Sequence, residues 1–272
     1  MEISNLQKKK IIEYLNKGNR FDGRKPDEYR KIEVKTGISN KAEGSCSVKF
    51  GETEVYCGVK LDTQEPYPDS QDQGTLMTTC ELSPIASPDF ETGPPSIRAI
   101  ELGRIIDRGV RESGFIDFKK LCIKEGERVW NVFLDIYAVN DAGNLLDVAG
   151  LAALIALGTA KMPVYNAKEG KVEYGNFSKD GLPLNKDVMA FNMTLYKIGD
   201  KIIIDPTREE EVVADARLSI GVSSDKGEPS INSLQKGQES GFSGEDMENI
   251  LNLVESKWKE IFPEISKHVW GK

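Results

Sequence analysis

The 272 residues carry 36 Lys and Arg against 44 Asp and Glu, a formal charge of -8, with 39% hydrophobic residues. That composition excludes a disordered chain and provides for one large core or two modest ones. It also excludes bulk electrostatic attraction to a phosphate backbone, so any nucleic-acid contact needs a local basic patch. No apolar run approaches the roughly 20 residues that span a bilayer. Met1 to Lys10 is polar rather than signal-like, so the expectation is a cytoplasmic protein with no membrane partner.

In chain order, residues 3–17 predict a helix capped by Ser4, with Leu6, Ile11, Ile12 and Leu15 as its apolar positions and Gly18-Asn19 as its stop. The turn-rich stretch Arg20-Phe-Asp-Gly-Arg-Lys-Pro26 leads into strands at 31–36, 44–50 and 53–61. The last two form a hairpin across Gly51-Glu52. Residues 62–74 read as a loop and Thr75 to Leu82 as a strand; four prolines between Pro84 and Pro95 then give an irregular connector. A helix from Ser96 to Ser113 sets Leu102, Ile105, Ile106, Gly109 and Val110 on one face and Arg104, Arg108 and Arg111 on the other.

Val129 to Val139 alternates as a strand should, and Leu145 to Met162 is apolar on nearly every side, which predicts a helix in the middle of a packed body. A polar connection near 166–187 precedes strands near 188–197, 200–205 and 212–222. The last element is an amphipathic helix from Ser243, with Ser243-Gly-Glu-Asp246 as its cap and acidic first turn. The order predicts an α+β fold with helices packed on mixed sheets, and it suggests a duplicated β-α module. The chain divides into an N-terminal helix (1–19), a first half (20–165) and a second half (166–272) of one domain, 1–272.

Cys46, Cys57, Cys80 and Cys122 form no CxxC pair, which argues against a zinc site or a thioredoxin-like motif. Three of them lie in predicted strands as buried, reduced thiols. The single histidine, His268, has no evident partner, so histidine-based catalysis within this chain is excluded. No metal or other cofactor is expected.

Three stretches together resemble the RNase PH superfamily: Arg20-Phe-Asp-Gly-Arg24 with Arg30, Gly44-Ser-Cys-Ser-Val-Lys-Phe-Gly-Glu-Thr53-Glu-Val, and Asp141-Ala-Gly-Asn-Leu-Leu-Asp147. The resemblance runs from about residue 18 to 260 and implies the RNase PH fold, of the ribosomal protein S5 domain 2-like kind. Active members degrade RNA from its 3′ end with inorganic phosphate. The attacking phosphate is cradled by a Gly-(Ser/Thr)-Arg turn at a helix N-terminus, and two carboxylates six residues apart complete the site. Here the cradle position reads Gly143-Asn144-Leu145, so the phosphate arginine is a leucine. Asp147, in the first helical turn, is expected to reach back over the free N–H groups in the manner of a capping box. Glu209 and Asp215 keep the six-residue interval, with one member turned into Glu.

The Asp205-Pro-Thr-xx-Glu-Glu pattern is similar to the non-catalytic ring subunits of the archaeal exosome core. That resemblance implies a hetero-hexameric ring, three copies each of this chain and a catalytic RNase PH-like sister, with RNA-binding cap subunits and single-stranded RNA as further partners. It also implies that the basic helix faces the sister's active site, with Arg108 and Arg111 as the preferred RNA contacts beside Arg104.

Plainer accounts stand next to these. The arginine stripe is equally a solvated face with Glu101 and Glu112 at hand for ion pairs, Asp22-Gly23-Arg24 a simple turn, and Glu209 and Asp215 partners for Arg208 or Arg217. Two further functional readings remain open. One is an active phosphorolytic exoribonuclease in which Arg98 or Arg104 replaces the missing cation; the other is a scaffold without RNA contact.

Overall fold

The structure, a computed structural model, describes residues 3–225 and 227–270; Met1 and Glu2 of the polar N-terminal stretch lie outside the described residues. Helix α1 (Asn5–Asn16) starts at a capping box between Ser4 and Gln7 and buries Ile11 and Leu15. Leu6, expected on its apolar side, is instead 65% exposed. Strands β1 (Ile32–Thr36), β2 (Gly44–Phe50), β3 (Thr53–Gln64) and β4 (Thr75–Leu82) follow. Helix α2 (Ile97–Ser113) runs from the Ser96 cap to Gly114 in the left-handed conformation, with the predicted apolar face buried.

A short turn of 3-10 helix (Phe118–Leu121) and β5 (Cys122–Lys124) lead to β6 (Arg128–Asn140), α3 (Leu145–Thr159), β7 (Lys161–Asn166) and β8 (Lys171–Gly181). The second half adds β9 (Phe191–Ile198), β10 (Lys201–Ile204), α4 (Arg208–Val213), β11 (Ala216–Asp225), β12 (Glu228–Gly237) and α5 (Gly244–Trp270).

The described residues form three sheets. The first has the order β1-β2-β3-β6-β4 with β5 on β6. It is mixed because β4 runs parallel to β6 while its other pairings are antiparallel. The second, β10-β9-β11-β12, is antiparallel throughout, and β7 and β8 form a two-stranded ribbon. Helix α3 touches β2 and β3 of the first sheet, β9 of the second, and α5. It is buried at every position from Leu145 to Leu157. Its unbroken Leu and Ala content is therefore the signature of a helix packed between layers, with no side left for solvent.

Several sequence expectations need correction. Helix α3 stops at Thr159 rather than Met162, because Ala160 turns extended and the chain enters β7 ahead of Pro163, whose ring disfavours helix at the residue before it. The connection near 166–187 contains strand β8, whose polar composition reflects a ribbon solvated on both faces. The strand expected over 212–222 begins only at Ala216, since Thr207 and Glu210 form a capping box that starts α4. Strand β12 is new, its alternation hidden by Ser, Gln and Lys on an edge strand.

The cysteines are all free, with Cys46, Cys57 and Cys80 buried in strands. Burial pushes the Cys46 and Cys80 thiols up to about 12, which makes them inert. Among the described residues, no helix is long and apolar enough to cross a membrane.

Candidate functional site

Three loops converge at the N-terminus of α3: the stretch 20–30 after α1, the turn 141–144 after β6, and 205–207 ahead of α4. Buried Arg20 is the first clamp. It donates to the carbonyls of Ile204 and Asp205 at 3.0 and 2.8 Å and forms a two-pronged pair with Glu210, which also caps α4 at the Thr207 N–H. Arg24 and Arg30 are the second. The fully buried Asp205 carboxylate takes Arg24 Nη1 and the Arg30 N–H and Nε on Oδ2, and Arg30 Nη2 and Asn144 Nδ2 on Oδ1, all between 2.7 and 2.9 Å. Burial alone raises the Asp205 pKa, but the Arg30 guanidinium outweighs it and holds the carboxyl below its ordinary value. Asp22-Gly23-Arg24 forms the expected turn, with Gly23 at φ +85° and the Arg24 N–H donating to Asp22 Oδ1 at 3.1 Å.

The 141–144 turn needs its glycine. Gly143 has φ +97°, and an added Cβ would lie 2.5–2.7 Å from the backbone of Pro206, Thr207 and Arg208. No side chain other than hydrogen lets the two loops meet so closely. Thr53 and Arg30 donate to the Gly143 carbonyl at 2.6 and 3.0 Å, which fixes the turn from one side. From the other side the Asn144 N–H donates to Glu211 Oε1 at 2.8 Å. Tyr196 adds its hydroxyl to the same oxygen at 3.0 Å, while Arg208 and Arg98 approach Glu211 Oε2 at 3.4 and 3.7 Å. The same two arginines pair with buried Asp141 at 3.2 and 3.3 Å. A carboxylate of the protein itself therefore takes the backbone N–H at this turn.

Asp147 does not form the expected capping box. Its Oδ2 accepts from the side-chain amide of Asn144 at 3.1 Å and the Thr194 N–H at 3.2 Å, while the backbone N–H of Asn144 goes to Glu211. Fully buried, Asp147 has its pKa pushed up to about 7, chiefly by loss of solvation, and the nearby Asp205 charge adds to the effect.

The pair Glu209 and Asp215 is not brought to this turn. Glu209 is exposed and has no ion pair or hydrogen bond of its side chain among the described residues. Asp215 instead binds Lys8 at 3.0 Å and the Gly199 N–H at 2.8 Å. Neither pairs with Arg208, which goes to Asp89, Asp141 and Glu211, or with Arg217, which goes to Glu101. Within the 205–215 segment, the carboxylates that meet Asn144 are instead Asp205 and Glu211, which share the six-residue interval; α4 turns Glu211 toward the turn and Glu210 toward Arg20. The interval alone was the available signal, and two pairs in the segment satisfy it. With both oxygens of Asp205 occupied by five donors, this pair does not fit a divalent cation. Replacing Glu209 by Ala should change the unfolding free energy by less than about 0.5 kcal/mol in urea titration, as for a solvated side chain.

On α2, Arg104, Arg108 and Arg111 are exposed and line a groove of about 1090 Å³ between β4 and the edge of β12. Arg111 is tied down, donating to Asp107 at 3.1 Å and to the Leu76 carbonyl at 3.0 Å, with its guanidinium 5.6 Å from the Phe118 ring centre. Arg104 and Arg108 have no ion pair or hydrogen bond among the described residues. Among the described residues, the cations of the stripe without a partner in this chain are therefore Arg104 and Arg108. Glu101 pairs with Arg217, so it does not neutralise the stripe.

Comparison with known proteins gives two matches to the 3′ exoribonuclease family, RNase PH: its domain 1 over residues 28–163 and its domain 2 over 189–255. An exosome complex component Rrp42 of Methanothermobacter thermautotrophicus is 40% identical, covering 97% of this chain and 96% of that protein. That of Methanosarcina acetivorans is 43% identical over 95% and 93%. Among solved structures, a chain of the Archaeoglobus fulgidus exosome with RNA bound to the active site is 38% identical and superposes with a TM-score of 0.84, covering 95% of this chain and 98% of that one.

Proposed function

The chain belongs to the 3′ exoribonuclease (RNase PH) family and has its fold, and from that premise we propose that it is a non-catalytic, RNA-contacting subunit of an archaeal-type exosome core. In this reading it alternates with a catalytic sister, three copies of each, in a cytoplasmic ring that carries RNA-binding cap subunits and completes the sister's site for 3′-to-5′ phosphorolysis. The observation that carries the non-catalytic part is the turn at α3. Leu145 supplies no cation, and the Asn144 N–H is already spent on the Glu211 carboxylate. Arg98 and Arg208, the arginines near that N–H, are already shared between the Asp141 and Glu211 carboxylates.

The active-enzyme alternative has one observation in its favour, the position of Arg98 at this turn, but its guanidinium is shared between Asp141 and Glu211. Arg104 lies in the groove of α2 instead and takes no part. The test is release of nucleoside diphosphates from single-stranded RNA in phosphate. The chain alone should be silent, and its addition should raise the activity of the catalytic sister above that of the sister alone. Phosphorolysis by the chain by itself would overturn the reading.

The RNA-contacting part rests on Arg104 and Arg108, two guanidiniums unpaired among the described residues, on a chain of net negative charge. In the assembled ring, Arg104→Glu with Arg108→Glu should weaken RNA binding about tenfold or more and flatten its salt dependence, since two phosphate contacts are replaced by repulsion. Arg111→Glu alone should do less, because that side chain is already held by Asp107. Equal RNA affinity in the double variant, with the ring intact by size-exclusion chromatography, would favour the scaffold reading.

A further inference from the structure

We propose that the solvent-facing side of α1, with Phe21 beside it, is a binding surface for single-stranded RNA in addition to the arginine stripe of α2. The packed side of this helix is accounted for, because Ile11 and Leu15 are buried in a cluster with Tyr196, Ile198, Ile203 and Val213. At about 3.6 residues per turn, the opposite side carries Leu6, Lys10, Glu13, Tyr14 and Lys17, with Lys9 on its flank. All of these are exposed. Leu6 at 65%, Tyr14 at 44% and Phe21 at 52% thus share one surface with three lysines, and none of them belongs to the cluster that seats the helix. The rings of Tyr14 and Phe21 lie 4.7 Å apart between centres, and the Lys17 ammonium is 5.9 Å from the Tyr14 ring centre.

The charge left on this surface is positive, although the chain as a whole carries -8. Of the cations between residues 3 and 25, Lys8 pairs with Asp215, Arg20 with Glu210, and Arg24 with Asp22 and Asp205, while Lys25 has the Glu28 carboxylate on its own N–H. Lys9, Lys10 and Lys17 have no ion pair among the described residues, and Glu13 is the acid that shares their side of the helix. Asp200 and Lys201, next to the Gly199 turn that meets Ile12, cancel each other. Two net positive charges therefore stand beside two exposed rings. Single-stranded nucleic acid answers both features, since its phosphates take the ammonium groups while its bases stack on the rings. An acidic peptide answers the lysines alone. Lys10 and Lys17 are separated by about 10.5 Å along the helix axis with Tyr14 between them, so phosphates on either side of a stacked base can be held together. Domain 1 of the family is matched from residue 28 onward, which leaves this surface outside both matched domains. The inference rests on the RNA-contacting reading and adds a second contact to it.

The test is fluorescence anisotropy of a labelled oligouridine titrated with the full chain, with folding followed by circular dichroism. Lys9→Gln, Lys10→Gln and Lys17→Gln together should weaken binding about tenfold or more and lower the slope of log affinity against log salt by about 2, at roughly 0.7 per phosphate contact. Tyr14→Leu with Phe21→Leu keeps the charge and should cost about fivefold or more through lost stacking. Lys168→Gln, Lys171→Gln and Lys179→Gln, at exposed lysines of the β7–β8 ribbon, remove the same charge and should leave the salt slope unchanged. If the aromatic variant folds poorly, the α1 lysine variant decides alone, because its positions are exposed and unpaired. An equal loss in both lysine variants would reduce the effect to bulk charge and overturn the proposal, as would wild-type affinity in the α1 variants or no RNA binding by the wild-type chain. Polyglutamate that displaces the RNA as well as unlabelled oligouridine does would assign the surface to an acidic protein instead. The same titration of Arg104→Glu with Arg108→Glu keeps the two readings apart. A loss confined to that variant leaves the RNA-contacting reading in place and removes α1 from it.

Discussion

Replacing Asp205 by Ala should cost about 3–5 kcal/mol of folding free energy, the range for removing one partner of a buried ion pair. Five donors from Arg24, Arg30 and Asn144 end on this carboxylate, and the side chains of the two arginines are only 11% and 12% exposed. Their charges would be left in a site from which water is largely excluded. The loss should also be cooperative, because Arg30 simultaneously holds the carbonyls of Ala142 and Gly143, and those fix the turn that starts α3. Urea unfolding at neutral pH measures the effect directly, with Glu209→Ala, four residues along the same segment, as the unperturbed control. A loss below about 1 kcal/mol would mean that the arginines find other partners and that the clamp is dispensable. The pH dependence has a definite sign as well. Asp205 titrates below its ordinary value of 3.8, so its stabilisation is present above that pH and is lost as the pH falls through the lower folded-state value.

The parts of this architecture legible in the sequence are those set by local rules. Ser4 and Gly18 mark helix ends, because a capping side chain or a positive φ satisfies groups the helix leaves open. The hairpin at Gly51-Glu52 and the apolar α3 follow from alternation and from its absence. What escaped was decided by tertiary pairing: β8 and β12 are polar strands whose evidence lies in their partners rather than in their own pattern. At the Gly143-Asn144-Leu145 turn the register was what the sequence left open: which acidic pair meets it turned on α4. One helical turn there sends Glu210 to Arg20 and Glu211 to Asn144, and spacing alone does not distinguish Asp205 with Glu211 from Glu209 with Asp215. Likewise the arginine stripe was visible on the helical wheel, while the contact of Arg111 with the Leu76 carbonyl on β4, which removes it from the free cations, is a long-range fact.

A different dependence on pH is expected of Asp147, and it isolates the cost of burying a carboxyl beside this turn. Its folded-state pKa lies near 7 against an ordinary 3.8, with burial as the main cause. Between about pH 4 and 7 the unfolded chain releases this proton while the folded chain retains it, so this group's contribution falls as the pH rises through that interval. At 1.36 kcal/mol per pKa unit the full interval is worth on the order of 4 kcal/mol. Asp147→Asn removes the charge and leaves an oxygen to accept from Thr194 and Asn144. It should therefore match wild type near pH 4 and exceed it at pH 8, with the difference opening between. Asp147→Ala should instead be destabilised by about 1–3 kcal/mol even at pH 4, because it orphans the Thr194 N–H and leaves the Asn144 amide with Asp205 alone of its two acceptors. Unfolding free energies in urea at pH 4.5, 6 and 8 separate these outcomes. Parallel pH profiles for wild type and Asp147→Asn would show that the carboxyl does not titrate in this range. The Asp205 effect lies below pH 3.8 and has the opposite slope, so the two buried acids, 2.9 and 3.1 Å from the same Asn144 amide, can be read apart in one titration.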